Sequence, residues 1–220
     1  YTATQDIVRP VGYHHLINRL EFVGEVGTVS GLGVPGQPLL FVDSLAGEPP
    51  AIRVDVSATG TGAHPVDVGL DVVVWDDLVL DGTGSEPLIL SGNVREQRAG
   101  RSVTKEGAWP LIVRGGVALS GELVLGSGDT TVEGAARVEA PTLEIRAGAT
   151  LALAPDAGEP DAVADDARLL IPPAGGVPAV RLEFEGIEQI GALRIGGAPR
   201  PPGVYDAASH PDHFAGPGAI

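Results

Sequence analysis

The chain has 220 residues, including 32 glycines and 19 prolines, and carries a formal net charge of −15 at pH 7. Glycine and proline are together about twice as frequent as usual, which excludes a mainly helical protein, and 43% hydrophobic residues exclude a wholly disordered chain. The absence of cysteine excludes disulfides, thiolate metal sites and a cysteine nucleophile, and the acidic balance disfavours nucleic acid and anionic membranes as partners.

The amino-terminal segment, residues 1–17, is predicted to be an arm or a cap. The chain starts with Tyr1 instead of methionine, which indicates either a processed amino terminus, as after removal of a signal peptide, or a fragment of a longer chain. Its extended start, residues 1–8, is a candidate arm for completing a neighbouring molecule. His14 and His15 are expected on the surface. No apolar run approaches the roughly 20 residues of a membrane-spanning helix, so no membrane insertion is expected.

Short apolar strands are predicted from residue 39 onward. Residues 39–42 form a buried run, Ala51–Val56 alternates between apolar and polar residues, and Val72–Val74 is followed after six residues by 78–80. Leu88–Leu90 then lies 23 residues before the most regular part of the chain. Alternation with a period of two is typical of strands with one buried face, so this half of the sequence is predicted to be β-structure.

A repeat is found between residues 111 and 153. Seven three-residue strands start at intervals of 6, 6, 8, 6, 6 and 8 residues, so that the spacing repeats every 20 residues. The strands begin at Leu111, Val117, Leu123, Thr131, Arg137, Leu143 and Leu151. Three short strands per period predict a three-sided parallel β-solenoid, whose successive coils stack about 4.8 Å apart. An antiparallel meander with a hairpin every six to eight residues is the alternative.

Two of these strands, residues 131–133 and 137–139, invert the apolar alternation. Either the register shifts there by one residue or this coil is imperfect. Glycine and charged residues between the strands are predicted to form the corners, where glycine supplies positive φ angles. These corners are residues 114–116, 120–121, 126–129 and 146–149.

The predicted solenoid spans residues 18–195, with an acidic loop or insertion at residues 156–166. The last unit, residues 196–220, is rich in glycine and proline and is predicted to cover the end of the solenoid or to leave it. Gly196 and Gly197 fit a two-residue hairpin turn.

Motifs spread from Asn18 to Ile220 occur in the order and spacing of a known repeat family. They are Asn18-Arg19-Leu20-Glu21-Phe22, Gly27-Thr28-Val29-Ser30-Gly31, residues 78–84 and 88–94, Thr104-Lys105-Glu106-Gly107 before Leu111-Ile112-Val113, residues 190–198, Pro202-Gly203-Val204-Tyr205 and residues 214–220. Together they resemble the autotransporter-associated β-strand repeat, in which Lys-x-Gly precedes the next coil. Two departures are Trp109-Pro110, in place of the usual Gly-x-Gly-Thr run, and the stop at Ile220, where the family normally adds a last strand.

The resemblance implies a right-handed parallel β-helix that is exported and displayed at or beyond the cell surface. Members of the family are mostly adhesive or structural passengers, and few have catalytic activity. No outer-membrane barrel follows in this sequence, so the resemblance does not extend to autotransport itself.

Four groups of side chains are candidate sites, and a structural or surface role is favoured for each. The groups are His210, Asp212 and His213 as metal ligands, Asp161, Asp165 and Asp166 as calcium ligands, Asp76 and Asp77 as paired acids of a glycan-processing site, and Trp75 and Trp109 as sugar platforms. Adjacent carboxylates on a strand point to opposite faces, the acidic loop lacks the spacing of an EF-hand, and Gly31-Leu32-Gly33 lacks the helix of a dinucleotide site. We therefore predict no catalytic, cofactor-binding or metal-binding residues.

The sequence predicts a non-enzymatic, extracellular or cell-surface β-solenoid with a structural or adhesive role. It is either a module of a long passenger-like adhesin or a subunit that stacks end to end into filaments through unpaired strand edges. The alternative function is a carbohydrate-active or glycan-binding β-helix, such as a polysaccharide lyase or hydrolase. Only 4% of the residues are aromatic, which argues against sugar sites because these favour stacking rings. The expected partners are thus other copies of the chain or surface glycans.

Overall fold

The computed structural model describes residues 2–11, 14–24, 38–42, 47–57, 65–156 and 160–220. This part of the chain consists of β-strands, turns and loops, and none of it is helical. Accordingly, none of the described residues belongs to a helix long and apolar enough to cross a membrane. The glycine and proline content accounts for this, because both residues destabilise helix interiors.

Twenty-two strands follow one another along the described chain. Their bounds are β1 Thr2–Val11, β2 His14–Gly24, β3 Leu39–Phe41, β4 Ala51–Val56, β5 Val66–Val68, β6 Val72–Val74, β7 Leu78–Asp81, β8 Leu88–Leu90, β9 Val94–Glu96, β10 Val103–Lys105, β11 Leu111–Val113, β12 Val117–Ala118, β13 Glu122–Leu125, β14 Gly128–Gly134, β15 Val138–Glu139, β16 Thr142–Ile145, β17 Ala149–Pro155, β18 Arg168–Ile171, β19 Val180–Leu182, β20 Ala192–Ile195, β21 Ala198–Pro199 and β22 Phe214–Ala215.

Three parallel ladders of strands form the faces of a β-solenoid, which has about seven turns of about 23 residues each. Face 1 consists of β3, β6, β9, β12 and β15; face 2 of β4, β7, β10, β13, β16, β18 and β20; and face 3 of β5, β8, β11, β14, β17, β19 and β22. The long strand β2 pairs in parallel with both β3 and β4 and thereby joins faces 1 and 2 into one sheet. The predicted three-sided parallel solenoid is confirmed, and the antiparallel meander is wrong.

The 20-residue period holds only locally. Leu123 pairs with Leu143, 20 residues further on, whereas Leu88 pairs with Leu111 across 23 residues, as predicted. The average turn is longer than the prediction because the loops at the corners differ in length from turn to turn.

The register shifts by one residue at the coil whose alternation is inverted. In β14, Thr130 rather than Thr131 pairs with Leu111, and this pairing turns Val132 into the core. β15 shifts by one residue in the opposite direction, so that Val138 rather than Arg137 pairs with Val117 and is buried. Burial explains these shifts, because without them both valines would point towards solvent.

One continuous hydrophobic core runs along the solenoid and is filled by the inward side chains of all three faces. Its largest members are Trp109, Phe22, Phe41 and Phe214, none of which is more than 1% exposed. Full burial of an apolar side chain stabilises a fold by about 1.5–3 kcal/mol, so the stacked inward ladders are the main source of stability.

The corner glycines have two roles: some supply positive φ angles, as predicted, and others are required by the close approach of successive turns. Gly128 and Gly148 do have positive φ, but Gly115 and Gly121 do not. A Cβ atom on Gly115 would lie 2.1 Å from the carbonyl oxygen of Gly92 in the preceding turn. The corner at Gly115 therefore needs glycine because no side chain fits there between two rungs.

The amino-terminal residues pair within their own chain. β1 runs antiparallel to β2, from Thr2 opposite Val23 to Val11 opposite His14, with two register irregularities. The predicted arm is thus one half of a hairpin that pairs with β2 of the same chain. The hairpin adds an antiparallel strand to the larger sheet beside β2.

The carboxyl-terminal residues close the opposite end. The predicted hairpin is confirmed: β20 and β21 pair antiparallel across Gly196 and Gly197, whose φ angles are 59° and 81°, as a type I′ turn requires. β22 extends face 3, and Tyr205 exchanges two backbone hydrogen bonds with Ile220. The Gly/Pro-rich segment therefore covers the solenoid end.

The predicted acidic loop contains a further rung of face 1. Val163 forms a parallel bridge with Val138, and Ala162 beside it is fully buried. Residues 157–159 lie outside the described part of the chain. From residue 160 onward the segment continues the solenoid instead of leaving it.

Candidate functional site

The histidines near the carboxyl terminus do not assemble a metal site. Among the described residues, no three His, Cys, Asp or Glu side chains lie close enough together to hold a metal ion. The ring of His210 packs against Tyr205 and Phe214, with centroid distances of 5.0 and 6.5 Å. Burial lowers the pKa of His213, and Asp212 is exposed. These residues belong to the turn that leads the chain into β22.

The acidic residues proposed as calcium ligands pair with an arginine instead. Arg137 forms ion pairs with Asp161 and Asp165 and a longer one, of 3.8 Å, with Glu139. Asp166 is exposed. Three carboxylates surround one guanidinium group, so this part of face 1 carries an excess of negative charge.

Trp75 and the aspartates that follow it lie at the corner between faces 1 and 2. The indole is 37% exposed, and the guanidinium carbon of Arg98 lies 5.7 Å from its ring centroid. Asp77 accepts a hydrogen bond of 3.0 Å from the backbone amide of Ser102 in the next turn, and Asp76 is half-buried. Asp77 thus helps to hold two turns together, which is a structural use of its carboxylate.

Two predictions fall on residues outside the described part of the chain. Gly31-Leu32-Gly33 belongs to a segment that is not described, and the same is true of the side chains of His14 and His15, whose backbones form part of β2.

One internal polar group was missed by the sequence prediction. Lys105 has no exposed surface, and its Nζ donates hydrogen bonds to the carbonyl oxygens of Gly107, at 2.8 Å, and of Ser127 in the next turn. Nζ also lies 4.7 Å from the ring centroid of Trp109, which is fully buried, as expected for core packing. Burial lowers the pKa of Lys105 to about 8. The available signal was its place two residues after Val103, on the same inward side of the strand.

Face 1 is interrupted near its carboxyl-terminal end by the side chain of Glu188. In an earlier rung, the amide of Val138 donates to the backbone carbonyl of Ala162 at 2.8 Å. One rung further on, the Glu188 carboxylate accepts the amides of Ala162 and Val163, at 3.1 and 2.9 Å. The carboxylate is 1% exposed; burial raises its pKa, and these two hydrogen bonds oppose the shift. A side chain therefore replaces the backbone of a strand, and the ladder is interrupted there.

Two adjoining depressions lie on this side of the solenoid. The acidic cleft has a volume of about 790 Å³ and is lined by Arg137, Pro160, Asp161, Asp165, Glu185 and Gly186. The apolar groove has a volume of about 430 Å³ and is lined chiefly by Ile190, Leu193, Pro201, Pro202, Tyr205 and Ile220. Ile187 and Gln189 line both depressions, which together form the candidate site.

This surface combines negative charge with apolar side chains. The cleft presents carboxylates, which accept hydrogen bonds and attract cations, and the groove presents apolar side chains with Arg200 at its edge. The cleft is acidic and the groove is apolar, so an occupant that combines positive charge with apolar surface fits both.

Comparison of the chain with protein-family models, curated proteins and solved structures gives no match. The resemblance to the autotransporter-associated repeat thus stays a prediction that rests on motifs, and function has to be argued from the fold and from the contacts described above.

Proposed function

We propose that the protein is a non-enzymatic β-solenoid with a structural or adhesive role at or beyond the cell surface. The observation that carries this proposal is the use of polar side chains at the corners. Many of them accept a backbone amide of the following turn and are thus engaged in holding the solenoid together. The pairs are Asp55 with Thr83, Asp71 with Asn93, Asp77 with Ser102, Asn93 with Gly116 and Ser102 with Glu122.

Export is supported by the motif resemblance, and the acidic, cysteine-free composition is consistent with it. A stack of turns joined by hydrogen bonds keeps its shape without disulfides, and the charge of −15 favours solubility. A rigid rod of this kind can present side chains at a distance from a surface, which is what a structural or adhesive module requires.

The second candidate function is binding of glycans, and one observation favours it. Trp75 is an exposed aromatic ring with an arginine, Arg98, next to it, and such pairs can bind saccharides by stacking and hydrogen bonding. The guanidinium group already lies over the ring, however, so a sugar would have to displace it. For that reason the glycan function is placed second.

Two measurements test the proposal. Antibody labelling of intact and permeabilised cells is expected to detect the protein on intact cells, and labelling only after permeabilisation would contradict an outside location. In a depolymerisation assay with neutral and acidic polysaccharides, the purified protein is expected to release no new reducing ends. Catalytic release above that of a heat-denatured control would favour the carbohydrate-active alternative.

A further inference from the structure

We propose that the acidic cleft and the apolar groove together bind an extended peptide segment of a partner protein, in which basic residues alternate with apolar ones. This inference concerns a recognition surface and holds whether the solenoid is structural or adhesive. It starts from Ile187, which is 59% exposed although it lines both depressions.

The apolar groove is formed by parts of the chain that are fixed to one another. Tyr205 and Ile220 exchange backbone hydrogen bonds of 2.8 and 2.9 Å, and the Tyr205 hydroxyl donates to the carbonyl oxygen of Pro201 at 2.5 Å. Both side chains are buried at the base. A groove that is already formed requires little ordering when a ligand binds, so its apolar surface is available for binding.

The negative charge of the cleft next to the groove favours a positively charged ligand. Among the described residues, Arg137 is the one cation that lines the acidic cleft, whereas Asp161, Asp165 and Glu185 line it with negative charge, and Glu139 lies beside the same guanidinium group. Complementary charge increases both the association rate and the specificity of binding. A basic side chain therefore suits the cleft, and an acidic one is repelled.

The geometry favours an extended chain over a single small cation. In a strand, alternate side chains point the same way and neighbouring ones point to opposite sides. Because the two depressions meet at Ile187 and Gln189, an extended peptide that crosses this boundary can direct a basic side chain into the cleft and an apolar one into the groove.

The experiment measures fluorescence anisotropy of a labelled octapeptide of alternating leucine and arginine, titrated with the full chain. Saturable binding is expected, whereas the matched peptide of alternating leucine and glutamate is expected not to bind. Ile187→Ser should weaken binding at least about fivefold, since it removes the apolar contact. Glu185→Gln should weaken binding about threefold at low salt and less in 0.5 M salt, because salt screens exposed charges.

Two variants serve as matched controls. Val177→Ser removes an apolar side chain that is 70% exposed outside both depressions, and Glu122→Gln removes an exposed carboxylate on face 2; neither is expected to alter binding. Equal binding of the two peptides, no saturation up to about 1 mM peptide, or equal effects of site and control variants would overturn the proposal. Concentration-dependent oligomers of the protein alone that Ile187→Ser abolishes would instead assign the surface to a second copy.

Discussion

Lys105 connects two turns of the solenoid from inside the core, and its replacement tests how much that connection contributes. Lys105→Met keeps a long apolar side chain but removes the donor to the carbonyl oxygens of Gly107 and Ser127. We expect the free energy of unfolding to fall by about 1–3 kcal/mol, the cost of leaving buried polar groups unpaired. Urea denaturation with an unchanged m-value measures this loss. The exposed cation of Arg194 provides the control, since Arg194→Met should change stability by no more than about 0.5 kcal/mol; equal effects of the two variants would contradict the proposed role.

Because burial lowers the pKa of Lys105, we expect an unusual dependence of stability on pH. In the folded chain its pKa is about 8, below the ordinary 10.5. Between these two values the unfolded chain binds more protons than the folded one, so the free energy of unfolding rises as the pH increases from about 8 to 10.5. The rise amounts to at most about 3 kcal/mol.

This chain suits such a measurement because Lys105 is its single lysine and the arginines stay protonated. The three tyrosines also titrate in alkali. Lys105→Met keeps these tyrosines, so its pH profile measures their contribution, which can be subtracted. Denaturation curves at pH 7.5, 9 and 10.5 should show the rise in the original chain and lack it in the variant. Parallel pH profiles of the two proteins would show that burial of the ammonium group has no effect on stability.

At the scale of the strand and its corner, glycine is needed where two turns approach each other. Gly115→Ala would place a Cβ atom 2.1 Å from the backbone oxygen of Gly92, which cannot move without disturbing its own rung. We expect a loss of stability of about 3 kcal/mol or more, in the range of steric overpacking. Gly69→Ala is the control, because nothing lies within 4 Å of its Cβ position and its φ is not positive. Thermal denaturation should separate the two variants by several degrees, and similar melting temperatures would mean that the corner can relax.

The strands could be predicted from the sequence because local alternation and spacing determine them, whereas register and turn length depend on contacts between turns. Alternation and spacing predict the parallel ladders, and the 23-residue spacing correctly pairs Leu88 with Leu111 across an insertion. Alternation alone does not decide whether Thr130 or Thr131 pairs with Leu111, because the answer depends on which valine the turn buries. The turn length was underestimated because corner loops have no period of their own.

The candidate site was not predictable in the same way. Asp161 and Asp165 were noted as acidic residues, but their partner Arg137 lies one turn earlier, and only the stacking of turns brings them together. The role of Glu188 depends on a missing backbone partner for Val163, which no local pattern reveals. Contacts between turns are set by register, and register is the property that the sequence specified least.

At the scale of the whole molecule, the two ends decide whether solenoids can join. Parallel turns present unpaired strand edges, which are sites of self-association. Here β2 is paired with the antiparallel strand β1, and β20 at the far end of face 2 is paired with the antiparallel strand β21, whereas face 1 ends at β15 and face 3 ends in the parallel strands β5 and β22. Pro10 lacks an amide donor, and β1 has two register irregularities; both features make a strand edge a poorer template. At the edges that β1 and β21 cover, this arrangement favours a single module over end-to-end stacking into filaments.

Removal of β1 tests that argument directly. A chain that begins at residue 12 exposes the edge of β2, which is 11 residues long. We expect the original chain to elute as a monomer in size-exclusion chromatography with light scattering at about 10–100 μM, and the shortened chain to form larger species as its concentration rises, because a long free edge recruits further strands. Circular dichroism and a cooperative melting curve establish that the shortened chain is folded. Filaments formed by the original chain, visible by negative-stain microscopy, would reverse the conclusion, since assembly would then occur in spite of the antiparallel strands and would have to use another surface.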